Sequence, residues 1–134
     1  DTPTGLVVPN IKAVQSKSIL QIADELHLLA TMARENRLTP QQLSGGTVTL
    51  SNVGAIGGTY TSPILMPGEA CIGAIGAIET VPRYQADGSL APVRVMRISW
   101  SADHRLLAGA TVARFSNRLK ALLQDPSRML LSLR

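Results

Sequence analysis

The chain is poor in the residues that usually announce chemistry. Aromatic residues make up 3% of it, with one Trp, two Tyr and one Phe, so any core must be aliphatic. There is one cysteine, Cys71, which excludes an intrachain disulfide and fits a reducing compartment. Cys71 lies in the apolar run "GEACIGAIGAIE" and reads as a buried small hydrophobe rather than a nucleophile. One cysteine and two widely spaced histidines form no zinc-ligand pattern. No apolar run approaches the roughly 18 residues of a membrane span. The thirteen Lys and Arg are scattered and not interleaved with aromatics, which argues against a nucleic-acid surface. The net charge of +4 would suit an anionic small molecule or an acidic partner. The opening "DTPTGLVVPN" carries no basic region followed by an apolar core, so no signal peptide is read. It also lacks an initiator Met, and the chain is expected to be a fragment of something longer.

What is present is enough for one domain: 134 residues, 45% of them hydrophobic. "TGLVVPNIKAV" (4–14) reads as a short strand broken by Pro9, followed by an extended segment. Ile19, Ile22, Ala23, Leu26, Leu29, Ala30 and Ala33 then recur at helical spacing, behind Ser18 as a plausible N-cap. His27 on that helix reads as a partly exposed surface residue. Residues 37–46 form a loop with a short helical turn at Pro40. "TVTLSNV" (47–53) alternates as a strand does, and 54–69 is rich in Gly and Pro and must be irregular. Its glycines do not match a phosphate-cradling pattern. "ACIGAIGAIETV" (70–81) reads as a buried strand, Asp87-Gly88 as a hairpin turn, and "VRVMRISWSA" (93–102) as the returning strand. A helix of about four turns follows from Ala110 to near Asp125-Pro126, with Arg114, Arg118 and Lys120 on its solvated face. The apolar tail Met129–Leu133 would suit a docked segment or a subunit contact. The architecture is expected to be α+β, a mixed or antiparallel sheet with two helices on one side.

The most informative stretch is "SWSADHRLLAGAT" (99–111). His104 stands where a strand gives way to a helix, the kind of place where a rigid scaffold holds a reactive group. A neutral imidazole there can take a proton from a thiol or alcohol near pH 7. From the residues alone, both a catalytic base and a structural histidine remain open.

Two long blocks, "GGTVTLSNVGAIGGTYTSPILMPGEACIGAIG" and "SWSADHRLLAGATVARFSNRLKALLQDP", closely resemble the catalytic domain of the dihydrolipoamide acyltransferases. These are core components of 2-oxo acid dehydrogenase complexes. "DTPTGLVVPNIK" and "LATMARENRLTPQQLSGG" match the same family, and the "SWSADHR" wording is most like its branched-chain member. The resemblance covers essentially residues 1–134 and corresponds to the C-terminal half of the family's catalytic domain, without its lipoyl and peripheral-subunit-binding domains.

That resemblance implies a chloramphenicol-acetyltransferase-like fold forming trimers that assemble into a larger cage. It implies transfer of an acyl group, of branched-chain type, between dihydrolipoamide and coenzyme A, with no metal. His104 would be the base and Ser51 the donor to the oxyanion, the two coming from different chains. Thr59, Tyr60 and Pro63 would line the pantetheine channel. Implied partners are the decarboxylase and dihydrolipoamide dehydrogenase components and the lipoyl domain, with no nucleic acid and no membrane span. The implied location is the mitochondrial matrix or a bacterial cytoplasm.

One hallmark is altered. The family pattern is His, three residues, Asp, Gly. Here His104 and Gly109 match, but Ala108 stands at the Asp position. The resemblance gives that Asp the part of holding an arginine and the His-bearing turn. If Arg105 were buried, its loss would strand a charge. If Arg105 reaches solvent or Asp103, the loss is minor. A catalytically impaired core subunit is therefore an alternative expectation to an active enzyme.

Overall fold

Ser18 starts the first helix as its position predicts. Its hydroxyl accepts the Gln21 N–H at 3.2 Å, and the Gln21 side chain accepts the Ser18 N–H at 2.8 Å. This reciprocal box satisfies donors that a helix start leaves open. Helix α1 then runs Ile19–Arg34. Asn36, at φ 53°, closes it, with Arg37 N–H on Met32 O and Asn36 N–H on Ala33 O. The computed structural model describes residues 2–3 and 5–130. They fall into two compact units: Asp1–Gly46 with Ala113–Arg134, and Thr47–Val112.

In the first unit, α1 is followed by the short α2, Pro40–Leu43, with Pro40 at its first turn, where a missing N–H costs nothing. The expected strand within 4–14 does not form. Pro9 removes a ladder donor, and among the described residues no strand pairs with the segment. The described part of the segment is irregular, apart from an isolated bridge between Thr2 and Gly5 and a 3-10 turn at Val14–Ser16. It is instead tied down at Asn10, whose backbone N–H donates to Gln42 O and whose side chain donates to Ser44 O. Of the apolar positions expected on α1, Leu29 and Ala33 are buried, while Ile19 and Leu26 are half exposed or more. His27 is exposed, as expected.

The second unit holds the sheet. Strand β1 is Val48–Asn52, β2 is Cys71–Tyr84 and β3 is Leu90–Ala102, in the order β1-β2-β3. β1 runs parallel to β2 and β3 antiparallel to it, so the sheet is mixed. Both long strands extend three residues further toward their hairpin than the sequence reading placed them. The turn is the expected one, with Gly88 at φ 82° and the Asp87 carboxylate accepting from Ser89. Helix α3, Gly109–Gln124, and α4, Ser127–Leu130, follow. Residues 131–134, most of the expected apolar tail, lie outside the described residues. Among the described residues no helix is long and apolar enough to cross a membrane.

The core of the sheet unit is the start of β2, where Cys71, Ile72, Gly73 and Ala74 are all buried. Burial pushes the Cys71 thiol above its ordinary value, in keeping with a packing role. Gly73 faces Trp100 across the ladder, and a Cβ built on Gly73 would lie 2.4 Å from the indole ring. The chain's one tryptophan fills the space that the missing side chain leaves. Gly73→Ala is therefore expected to destabilise the fold by about 1–3 kcal/mol, the usual range for an overfilled core. Urea denaturation followed by Trp100 fluorescence measures it, and an unchanged midpoint would contradict this packing.

Candidate active site

The turn that carries His104 is organised by its neighbour. Asp103 leaves the sheet with its N–H bonded to Ala70 O at 2.9 Å, and its carbonyl accepts the N–H groups of Leu106 and Leu107. Its carboxylate then turns back on the chain. Oδ1 accepts the Arg105 N–H at 2.9 Å, and the Arg105 guanidinium spans both oxygens, Nη2 to Oδ2 at 2.7 Å. These bonds, the Arg105 side chain first, hold the Asp103 carboxyl down at about 2. Between these two residues His104 is exposed and makes no hydrogen bond to the described residues. Its ring is available to solvent and to anything that binds there.

This geometry answers the question raised by Ala108. The Arg105 side chain is 90% exposed and already has a carboxylate partner in Asp103. No buried charge is stranded by the alanine. What position 108 does is begin α3: Ala108 O accepts Thr111 N–H at 2.9 Å and Val112 N–H at 3.3 Å. That is the N-cap position, where Asp, Asn, Ser and Thr supply a side-chain acceptor to the first turn and alanine supplies none.

Ser51 sits on β1, half-buried, in register with Ala74 of β2, which is itself opposite Ser99 of β3. Directly paired residues share a face, so Ser51, Ala74 and Ser99 form one row. Among the described residues the Ser51 hydroxyl has no side-chain hydrogen bond. The row at the end of β3 is Val48–Cys71–Ala102, three residues away along the strands. At ~3.3 Å per residue and ~4.8 Å per strand, Ser51 and the last residue of β3 are about 14 Å apart. His104 follows two residues beyond that end of the sheet.

Thr59, Tyr60 and Pro63 lie on the irregular segment after β1, with Tyr60 exposed and Thr59 and Pro63 half-buried. This segment crosses β2 at a register shift between Ile75 and Ile78. There Ala77 N–H donates to Gly58 O at 2.9 Å, and Gly76 lies so close that a Cβ on it would meet Gly58 O and Thr59 O at 3.0 Å. Beyond the crossing, Thr61 N–H donates to Ser99 Oγ at 3.2 Å. The Arg97 guanidinium lies 4.9 Å over the Tyr60 ring and is ion-paired with Glu79. Sequence reasoning missed Glu79, Arg97 and Ser99. They are ordinary strand residues by pattern, and only the pairing register shows that they meet the loop. Among the described residues no group of three or more His, Cys, Asp or Glu is placed to hold a metal ion.

A family model for the 2-oxoacid dehydrogenase acyltransferase catalytic domain matches residues 1–131. The chain belongs to that family. It is 49% identical over all 134 residues to the lipoamide acyltransferase component of the branched-chain alpha-keto acid dehydrogenase complex, mitochondrial, of Bos taurus, and spans 28% of that protein. It superposes with a TM-score of 0.88 and 38% identity on the dihydrolipoamide acetyltransferase of Azotobacter vinelandii, a structure concerned with a serine, a histidine and an asparagine in the catalytic mechanism. It superposes with a TM-score of 0.89, again at 38% identity, on the cubic core of a pyruvate dehydrogenase multienzyme complex. Both alignments cover 97% of this chain and 53% of the solved one. The resemblance read from the sequence, and the α+β fold expected with it, are thus borne out.

Two measurements test the geometry of the turn. Asp103 is expected to titrate near 2, measured by NMR of its carboxyl carbon, and to move up toward 3.8 in Arg105→Ala. Because its value is depressed in the folded state, the pairing is fully present above pH 3.8 and is lost as the pH falls through about 2. An Asp103 midpoint that ignores Arg105→Ala would contradict the pairing. Separately, Ala108→Asp is expected to stabilise the chain by about 1 kcal/mol through an acceptor for the first turn of α3. Thermal unfolding of the two versions checks it, and equal midpoints would show that position 108 is not a cap.

Proposed function

We propose that the chain is the C-terminal part of an acyltransferase catalytic domain that moves an acyl group between dihydrolipoamide and coenzyme A. The observation that carries the reading is the family match over residues 1–131, and the exposure of His104 on the turn after β3 supports it. In the Azotobacter vinelandii enzyme the asparagine stands four residues after the histidine, the spacing of Ala108 from His104 here. Ser51 lies one residue further from His104 than the serine of that enzyme lies from its histidine.

The chemistry follows from few groups. An ordinary thiol, with a pKa near 8.5, is mostly protonated at neutral pH and attacks a thioester poorly. His104 takes the S–H proton as the sulfur bonds to the acyl carbon. The carbonyl oxygen becomes an oxyanion, which the Ser51 hydroxyl stabilises by donating a hydrogen bond. Collapse breaks the bond to the departing sulfur, and the imidazolium returns the proton to it. The same steps run in either direction. The ~14 Å of sheet between Ser51 and the His104 turn supports a site assembled between chains, with the histidine of one protomer facing the serine of another. Thr59, Tyr60 and Pro63 are assigned to the pantetheine arm, and the net positive charge suits the anionic remainder of coenzyme A.

The high identity to the Bos taurus component supports a branched-chain acyl group. The likeness to the cubic core supports trimers built into a larger cage, serving a lipoyl domain and the decarboxylase and dihydrolipoamide dehydrogenase components. The mitochondrial and bacterial relatives support a location in the mitochondrial matrix or a bacterial cytoplasm. A catalytically impaired core subunit is the second reading and rests on Ala108. The solvent-facing pairing of Arg105 with Asp103 weakens it, because no charge is left stranded.

Transfer from an acyl-coenzyme A to free dihydrolipoamide tests both readings in the complete polypeptide. His104→Ala is expected to lower the rate about 10²–10⁴-fold and Ser51→Ala about 10²–10³-fold, with particle size unchanged on gel filtration. Full turnover in His104→Ala would overturn the enzymatic assignment. Activity that appears only in Ala108→Asp would establish the impaired subunit instead.

A further inference from the structure

The contacts of the segment after β1 converge on two residues of β3 that nothing above places in the chemistry. Arg97 and Ser99 are two apart on an extended strand and so share a face. Arg97 covers the ring of Tyr60, and Ser99 accepts the N–H of Thr61, the next residue in the loop. Arg97 is itself fixed from the far side by Glu79 on β2. With Gly58 O bonded to Ala77 N–H, three anchors fall within residues 58–61. Thr61 Oγ1 is buried, with no hydrogen-bond partner among the described residues, so the loop is seated against the sheet.

We propose that Arg97 and Ser99 latch this loop in the conformation that receives the pantetheine arm of coenzyme A. They are positioning residues acting through Tyr60 and Thr61. The proposal rests on the functional reading above and deepens it.

The physical case is one of preorganisation. Tyr60 is exposed, and an exposed aromatic side chain on a glycine-rich loop would sample several rotamers unless its face were covered. A cation held over the ring by its own ion pair selects one of them. The hydroxyl of Ser99 fixes the backbone one residue on and so sets the direction in which the chain enters Ser62-Pro63. Pro63 follows two residues after the last anchor, and its fixed φ carries that direction forward. A ligand meeting a loop already ordered does not have to order it on binding, which appears as affinity rather than as chemical rate. Ser99 also lies in the row that contains Ser51, so the latch aligns the loop with the face of the sheet bearing the oxyanion donor.

The experiment uses the complete polypeptide in its native assembly, with Arg97→Leu, Arg97→Lys and Ser99→Ala. Coenzyme A binding is measured by calorimetry, KM and kcat by the transfer assay, and loop order by amide hydrogen exchange over residues 54–66. Arg97→Leu and Ser99→Ala are expected to weaken coenzyme A binding and raise the acyl-coenzyme A KM by about 3- to 10-fold, with kcat within about twofold. Exchange at Thr61 is expected to accelerate in both, and Arg97→Lys to recover most of the affinity. Faster exchange with unchanged binding would overturn the proposal, because the loop would be held without mattering to the ligand. Unchanged exchange would overturn the latch itself. A fall in kcat and thermal stability with KM unmoved would mark the residues as merely structural. Failure of the unaltered protein to bind coenzyme A would sink the functional reading, and the proposal with it. Normal binding by the unaltered protein and by all three variants would sink the proposal alone.

Discussion

Strand β2 has to accept a parallel neighbour on one side, an antiparallel neighbour on the other and a loop across its face, and small side chains are what permit all three. Cys71, Gly73, Ala74, Gly76 and Ala77 leave room where Ile or Leu would not. The loop bearing Tyr60 can cross at Gly76 because no Cβ stands there. The shift in register beside it frees the Ala77 N–H from the ladder to hold Gly58 O. Backbone groups that would otherwise be spent within the sheet are thus used to fasten this loop to it. The position of the loop, and through it that of Tyr60 and Thr61, is inherited from the composition of one strand.

The other half of the candidate site depends on a different device. Asp103 is the junction between sheet and turn, using its N–H, its carbonyl and its carboxylate together. Arg105 satisfies the carboxylate, and among the described residues His104 has no orienting hydrogen-bond partner. An imidazole with neither nitrogen engaged is free to choose its tautomer. Ser51 lies in the sheet, three rows from the end of β3 that leads into this turn.

Local signals in the sequence carried the secondary structure well. Ser18 with Gln21, Asp87 with Gly88, and the alternation in 47–53 each act within a few residues, so the physics that sets them is visible in the string. The strand expected within 4–14 failed because a strand needs a partner, and the partner is not a local property. His104 was legible as a candidate from its place between strand and helix, but only motif resemblance favoured a base over a structural histidine. Ser51 was legible through the resemblance alone, because a serine in an alternating strand has no unusual neighbourhood in sequence. Glu79, Arg97 and Ser99 were illegible for a related reason. Their significance lies in register, which places Ser99 opposite Ala74 and brings Arg97 over a tyrosine 37 positions earlier. Ala108 is the instructive middle case: its departure from the motif was plain, but whether it stranded a charge or removed a cap depended on where Arg105 turned.

The contact between Gly73 and Trp100 binds the histories of two positions. One gives up its side chain, and the other takes the vacated volume with the largest side chain available. Neither can change freely while the other stays. A bulkier residue at 73 becomes admissible only after 100 has shrunk, and a smaller residue at 100 leaves a void until 73 grows. Across diverged members of the family these two sites should trade volume in opposite directions, and a chimera that takes β2 from one parent and β3 from another inherits the mismatch at this one point.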